Sequence, residues 1–164
     1  MNIEISLIEN KTIPNLPGKN YDPELDDIRS ILIDVCEALS NYVQFNVSGF
    51  GQDNWPVDVA TDLAVFLEQL PYFMIAISAG ENFELQFYEQ GIERSIFFSR
   101  DRDDYIATCV SHTAWIPNPN SEKMSWSLLL ALIYEIKKEF VFYVKFFFPK
   151  LHSHSWFEEW KNMF

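Results

Sequence analysis

Hydrophobic and polar residues alternate in two short segments near the start of the chain. In segment 3–8, IEISLI, apolar residues occupy every second position, which is the pattern of a half-buried strand. Segment 42–50, YVQFNVSGF, alternates in the same way, and Gly49 and Gly51 mark its end. A loop containing Pro14, Pro17 and Gly18 is predicted to follow the first strand.

Apolar residues at helical spacing predict two helices in the first half of the chain. The first is expected to start at Asp22-Pro23, an N-cap followed by a first-turn proline. The second is predicted in segment 53–70, DNWPVDVATDLAVFLEQL, with its cap near Asn54 or Trp55. We expect this helix to bend or restart after Pro71 and to end at Gly80.

Segment 83–111 predicts three short antiparallel strands, 83–89, 93–99 and 104–111. The motif FYEQGIER, residues 87–94, connects the first two, and a Gln90-Gly91 turn would place Leu85 opposite Ile96 and Phe87 opposite Arg94. That register directs the apolar residues to one face of the sheet, and it separates Glu89 and Glu93 onto opposite faces. A structural hairpin is therefore favoured over a catalytic carboxylate pair and over a recognition loop. Arg94 is expected to pair with Glu89 or with an acidic helix residue.

The last third of the chain predicts a loop, TAWIPNPNSEK, then a long helix from about Ser121 and a short helix from Ser155. The end of the long apolar run, FVFYVKFFF, also suits a strand. A membrane span is disfavoured here because charged residues interrupt the run.

These elements together predict an α+β fold in a single domain, 1–164. An antiparallel sheet of about five strands, including the three-strand meander 83–111, is expected to pack against three to four helices.

The charge balance narrows the classes of partner. The chain has 164 residues and a net charge of −12, and residues 1–70 hold twelve acidic but only three basic side chains. Binding to nucleic acid or to an anionic membrane is disfavoured, because both need basic residues. A soluble, cytoplasmic protein with a basic protein partner is expected, and the first residues lack the pattern of a signal peptide.

One cysteine and three histidines are the candidate metal ligands. Cys109 and His112 lie three residues apart, and His152 and His154 lie near the C-terminus. This spacing is not that of a zinc finger or ribbon, so partly exposed histidines and a buried thiol are the simpler interpretation. A small metal-binding protein or hydrolase built on these four residues is kept as an alternative.

Motifs of enzymatic chemistry are missing from the sequence. It contains no G-x-S-x-G nucleophile elbow, no P-loop and no dinucleotide-binding glycine motif. We therefore predict a protein that is not an enzyme and needs no cofactor.

Carboxylates on the two predicted helices of the first half are the candidate binding surface. A docking face for a basic partner would combine them with an exposed aromatic anchor such as Trp55, although a solvated surface and a core tryptophan are the alternatives. The candidate residues are Asp26, Asp27, Asp34, Glu37, Trp55, Asp58, Asp62 and Glu68.

The run WPVDVATDLAVFLEQLP, then FYEQGIER, the Trp115-Ile116-Pro117 loop and SWFEEW resemble the small acidic immunity proteins of bacterial polymorphic-toxin and contact-dependent growth inhibition systems. The resemblance spans about residues 45 to 164. It implies a non-enzymatic cytosolic antitoxin that binds one cognate toxin domain, often a nuclease, and blocks its active site. A structural or adaptor module for another protein is the further alternative.

Overall fold

The computed structural model describes residues 1–8 and 19–163, which form six strands and five helices. The strands are β1 (Asn2–Leu7), β2 (Val43–Ser48), β3 (Phe83–Phe87), β4 (Arg94–Asp101), β5 (Asp104–Ser111) and β6 (Ser121–Ser125). The helices are α1 (Ile28–Leu39), α2 (Asp62–Ala79), α3 (Trp126–Phe147), α4 (Pro149–His152) and α5 (Ser155–Asn162). The predicted α+β class is confirmed, with two antiparallel sheets in place of one. The predicted loop at Pro14, Pro17 and Gly18 lies outside the described residues.

The two alternating segments pair with each other. Strands β1 and β2 are antiparallel, with Ile3 opposite Val47 and Ile5 opposite Phe45, and these four side chains are buried. The alternation thus identifies both the strands and their inward faces. Helix α3 packs against β1.

Helix α1 begins later than the sequence indicates. Asp27 is its N-cap, and its carboxylate accepts a hydrogen bond from the backbone N–H of Arg29. Asp22-Pro23 instead opens a separate turn, in which the Asp22 carbonyl oxygen accepts hydrogen bonds from the N–H groups of Leu25 and Asp26. Leu25 belongs to this turn, and its side chain is exposed, although its spacing from Ile28, Leu32 and the later apolar residues predicts a buried position on the helix.

Helix α2 also begins later than predicted, at Asp62, and runs through Pro71 without restarting. Because proline has no N–H, the carbonyl oxygen of Leu67 loses its usual partner four residues ahead. The indole Nε1–H of Trp160, on α5, donates to that oxygen at 3.1 Å. Gly80 ends α2 in the left-handed conformation, as predicted.

The predicted meander forms strands β3, β4 and β5 of the four-stranded sheet, and the predicted register is confirmed. Leu85 lies opposite Ile96 and Phe87 lies opposite Arg94. The connection is longer than a two-residue turn, since the Glu89 carbonyl oxygen accepts hydrogen bonds from the N–H groups of residues 92 and 93. It is still centred between residues 90 and 91, so the pairing does not change.

The fourth strand of this sheet, β6, was predicted as the beginning of the long helix. SEKMS pairs with β5, and α3 begins only at Trp126, capped by the Ser125 hydroxyl, which accepts from the N–H of Leu128. The ambiguous FVFYVKFFF segment is helical through Phe147.

Buried apolar residues from both sheets and from α1, α2, α3 and α5 form one core cluster. Helix α2 has the length and apolar composition of a membrane span, but 61% of it is buried inside the protein, as in the core helix of a folded domain.

Candidate functional site

Asp58 and Asp62 hold the start of α2 by reciprocal hydrogen bonds. The Asp58 carboxylate accepts from the N–H of Thr61 at 2.7 Å and from its hydroxyl at 2.9 Å. The Asp62 carboxylate accepts from the N–H of Asp58 at 2.8 Å. These bonds satisfy N–H groups that a helix start leaves without intrahelical partners, which explains two carboxylates at this spacing.

This role accounts for only one of the two carboxylate oxygens of Asp62. The residue is 3% exposed, and its second carboxylate oxygen, Oδ1, has no hydrogen-bond partner among the described residues. Burial, together with the negative charges of Asp58 and Glu89, raises the pKa of Asp62 to about 6. The chain therefore buries a carboxylate without placing a cation beside it.

Glu89 belongs to the connection between β3 and β4, and this connection brings an aromatic ring to the same surface. Tyr88 is 55% exposed, and partial burial with the charges of Glu68 and Glu89 raises the pKa of its hydroxyl. Glu68 lies on α2, so Tyr88 relates this helix to the connection between β3 and β4. Arg29 lies 3.9 Å from the Glu68 carboxylate.

A connected surface results, and we call it the acidic strip. Asp27 lies at the end of this surface. The Arg29 guanidinium donates two hydrogen bonds, at 2.9 and 2.7 Å, to one oxygen of the Asp27 carboxylate. The strip consists of Asp27, Asp58, Asp62, Glu68, Tyr88 and Glu89. Among the described residues, Arg29 forms salt bridges with two of them, Asp27 and Glu68.

Three of the remaining candidate carboxylates gather around Lys19 instead. Asp34 accepts hydrogen bonds from the Lys19 ammonium at 3.0 Å and from the Tyr21 hydroxyl at 2.8 Å. Asp26 and Glu37 also contribute to raising the pKa of Lys19. Lys19 therefore balances part of the negative charge of these three carboxylates, whereas Asp62 has no such cation among the described residues.

Trp55 is not the exposed anchor that the sequence suggested. Its side chain is 4% exposed, and its indole N–H donates to the Gly49 carbonyl oxygen at 3.2 Å. The ring packs in the core between Phe50 and Phe87. It is a core residue because the loop before α2 folds back onto the sheet.

The four candidate metal ligands do not come together. Cys109 is buried in β5, where burial raises the pKa of its thiol to about 11, and His112 is exposed beyond the end of that strand. His154 contacts the rings of Tyr21 and Trp156. Within residues 1–8 and 19–163, no group of three or more His, Cys, Asp or Glu side chains could hold a metal ion.

Arg94 forms neither of the ion pairs expected for it. Its guanidinium lies 3.6 Å from the ring centre of Trp115 and 4.2 Å from that of Trp55, and it donates to the Gln52 side-chain oxygen at 2.8 Å. No carboxylate of the described residues forms a salt bridge with it. The predicted pairing with Glu89 is wrong, and the charge of Glu89 acts on Asp62 and Tyr88 instead.

Sequence reasoning thus found four members of the acidic strip and missed two. Tyr88 and Glu89 lie in FYEQGIER, which the sequence marked as unusual but explained as architecture. Their short connection between two strands was the available signal, because loop residues at the edge of a rigid sheet commonly form binding surfaces.

Comparisons of the chain with protein-family models, with curated proteins and with solved structures return no match. What this fold and site define is an α+β protein with a carboxylate-rich surface around one buried, unpaired carboxylate.

Proposed function

We propose that this chain is a non-enzymatic immunity protein that neutralises a basic toxin domain in the cytosol by binding it through the acidic strip. The observation that carries the proposal is Asp62, a 3% exposed carboxylate with an unpartnered oxygen whose pKa is raised by burial and by the charges of Asp58 and Glu89.

A buried charge without a partner destabilises the protein that holds it. A lysine or arginine side chain from a partner would supply the missing counter-charge for Asp62 and Glu89. The free protein thus bears a cost that binding removes, which favours a cation-bearing partner over a purely apolar one.

Tyr88 gives the strip an anchor. Tyrosine is enriched among residues that dominate binding energy, because it offers a large rigid ring and a polar tip. The Tyr88 side chain is 55% exposed, and the charges of Glu68 and Glu89 act on its hydroxyl, so a partner that binds these carboxylates can also contact the ring.

The net charge of −12 supports the basic character of the partner. Opposite charge accelerates encounter and disfavours acidic partners. If the toxin is a nuclease, its lysines and arginines hold phosphates of the nucleic acid, and the carboxylates of the strip would occupy the same groove.

The test is growth protection. The chain is co-expressed with the toxin C-terminal domain encoded immediately upstream in its own genome, and growth of the host is recorded. We expect the wild type to protect and the double variant Glu68→Lys and Glu89→Lys to fail. Glu159→Lys is the control, because it makes the same charge reversal at an exposed carboxylate on α5 that is not a member of the strip.

Two outcomes would contradict the proposal at different points. Toxicity that the wild-type protein does not relieve argues against an immunity function for this toxin. Protection by the double variant equal to that of the wild type, with association rates within about threefold at low salt, would show that the interface lies elsewhere.

A further inference from the structure

Strand β1 has one edge that no strand of the described residues covers. It pairs with β2 along its other edge only. In an antiparallel ladder, hydrogen-bonded pairs alternate with pairs that are not hydrogen-bonded. The N–H of Ile8 donates to the Tyr42 carbonyl oxygen, so the ladder places Ile3 and Ile5 at positions that are not hydrogen-bonded to β2. Their backbone N–H and C=O groups therefore point to the open edge.

A hydrogen bond on the far side of β2 supports this assignment. Val47 lies opposite Ile3, and its carbonyl oxygen accepts from the N–H of Trp55 at 2.9 Å, away from β1. The two residues of a pair without mutual hydrogen bonds both direct their backbone groups outward, so Ile3 does the same on its own side. Outward donors and acceptors of this kind are the groups with which a further strand pairs.

A groove of about 420 Å³ runs along this edge, between β1 and α3. Residues 2–5 line it on the β1 side. Because successive side chains of a strand alternate between its two faces, a groove that touches four residues in a row follows the edge of the strand and not one face. Helix α3 forms the other wall with apolar side chains, Leu128, Ala131, Leu132 and Ile136. The groove thus offers an added strand both backbone partners and an apolar surface.

The charged side chains that line the groove, among the described residues, are all carboxylates. They are Glu4, Glu135 and Glu139. Glu135 forms a salt bridge with Lys138, but Lys138 is exposed and does not line the groove. Because an exposed pair of this kind is weak, a cation from a partner can replace Lys138. The charge of the groove favours a basic partner and disfavours a second copy of the chain, whose β1 and α3 carry the same carboxylates.

We propose that this groove binds an extended segment of a partner protein in which apolar residues alternate with lysine or arginine, and that the segment joins β1 as an added strand. Backbone hydrogen bonds to Ile3 and Ile5 hold the segment, and its alternate side chains give selectivity. The apolar side chains pack against the wall formed by α3, and the basic side chains reach the carboxylates. The groove uses none of the strip residues, so this proposal is independent of toxin binding through the strip.

Fluorescence anisotropy at low ionic strength measures the binding with a defined probe. The probe is a fluorescein-labelled peptide of about eight residues with blocked ends, in which valine and lysine alternate. We expect saturable binding. A control peptide of the same composition, with all valines before all lysines, keeps the charge and loses the alternation. It should bind about tenfold more weakly or not at all, because its basic side chains then fall on both faces of the strand.

Two N-methylated versions of the probe test for strand addition. One is methylated on the valine nitrogens and the other on the lysine nitrogens, which lie on opposite edges of an extended peptide. Only one version should lose binding, because only one edge of the added strand pairs with β1. The unmodified probe should also slow amide hydrogen exchange at Ile3 and Ile5, whose N–H groups point to the open edge.

Variants of the groove locate the binding site on the protein. Ala131→Arg adds bulk and positive charge at an exposed position of the wall, and it should weaken binding by about tenfold or more. Arginine is a good helix former, so α3 is expected to stay folded. The double variant Glu4→Gln and Glu135→Gln removes two exposed carboxylates and should weaken binding by about threefold or more.

Two further double variants are the controls. Glu81→Gln with Glu159→Gln removes the same number of exposed carboxylates outside the groove and outside the strip, and binding should not change. Glu68→Lys with Glu89→Lys alters the acidic strip and should bind the probe as the wild type does. This variant separates the groove from the surface proposed for the toxin.

Three results would overturn the proposal. The first is a wild-type protein that shows no saturable binding, or that binds both unmethylated peptides equally. The second is a loss of binding in the strip variant with unchanged binding in Ala131→Arg, because the probe would then occupy the strip. The third is a wild-type dimer that Ala131→Arg dissociates in analytical ultracentrifugation, because the groove would then belong to a second copy of the chain.

Discussion

Replacing Asp62 with asparagine tests whether the chain tolerates an unfavourable charge at the centre of the acidic strip. The variant keeps a side-chain oxygen that can accept from the Asp58 N–H, the bond that is 2.8 Å long in the wild type. The new side chain cannot ionise, and an NH2 group takes the place of one carboxylate oxygen. The substitution therefore separates the helix-capping role of Asp62 from its charge.

The magnitude follows from the pKa of Asp62, which is about 6 in the folded protein against an ordinary value of 3.8. The folded state keeps a proton between about pH 4 and pH 6 where the unfolded chain has lost it, so stability falls as the pH rises through this window. Ionised Asp62 then costs up to about 3 kcal/mol above pH 6. The new amide in a buried position costs about 1 kcal/mol, which leaves a gain of about 1 to 2 kcal/mol at pH 7.5.

Urea unfolding of wild type and variant at pH 4.0, 5.0, 6.0 and 7.5 measures this difference. We expect Asp62→Asn to be more stable at pH 7.5 and equal to, or slightly less stable than, the wild type at pH 4.0. The difference between the proteins is the relevant quantity, because carboxylates with lowered pKa values, such as that of Asp27, give the wild type an opposite slope. Asp53→Asn removes one exposed carboxylate and should show no comparable pH-dependent gain.

A variant that is less stable at pH 7.5, or a difference that does not change with pH, would refute this reasoning. If the toxin-binding proposal is also correct, Asp62→Asn should protect less well against the toxin despite its higher stability. Such opposite effects on stability and function are characteristic of residues retained for binding.

The remaining predictions concern Gly51, Gly91 and Glu122. Gly51→Ala should destabilise by more than about 2 kcal/mol in urea unfolding, because φ is +82° and a Cβ would lie 1.9 Å from the Asn118 carbonyl oxygen. Gly91→Ala, which has φ +100° but no atom within 4 Å, should cost only about 1 to 2 kcal/mol, and equal losses would contradict the steric account. Glu122→Gln should lower stability by about 1 to 3 kcal/mol, since it removes the charge that accepts from the Phe50 N–H; an unchanged urea midpoint would show that the bond contributes little.

The sequence predicts local pairing well where pattern and turn agree. Alternation in β3 and β4 and the glycine between them identified the register, which places Leu85 opposite Ile96. The connection is longer than a two-residue turn because Ile92 is buried and does not pair with a residue of β3. The register survived this error, since lengthening the turn equally on both sides leaves the same residues opposite each other.

The sequence fails where a short segment lacks its own pattern. SEKMS contains one apolar residue, Met124, and its strand is formed by pairing with β5. Ser121 and Ser125 both look like helix caps, and only the position of Trp126 after β6 decides between them. Tertiary pairing overrides local preference in such a segment.

The acidic strip and the surroundings of Arg94 both depend on contacts between distant parts of the chain. Glu89 acts on Asp62, and Arg94 is enclosed by Gln52, Trp55 and Trp115, which local periodicity cannot relate to one another. Charge counts indicated an acidic surface in the first half of the chain, but they gave no information on which carboxylate would be buried.

Asp62 and Arg94 are buried charges of opposite sign, and they do not form an ion pair with each other. Glu89 and Arg94 lie at the two ends of one short connection, so an ion pair between them was the simplest expectation. In the structure, the charge of Glu89 instead acts on another carboxylate, that of Asp62, and the Arg94 guanidinium lies against the rings of Trp55 and Trp115. Stability alone would favour neutralising both charges within the chain. For Asp62 and Glu89, this arrangement fits the proposal that a basic side chain of a partner supplies the counter-charge.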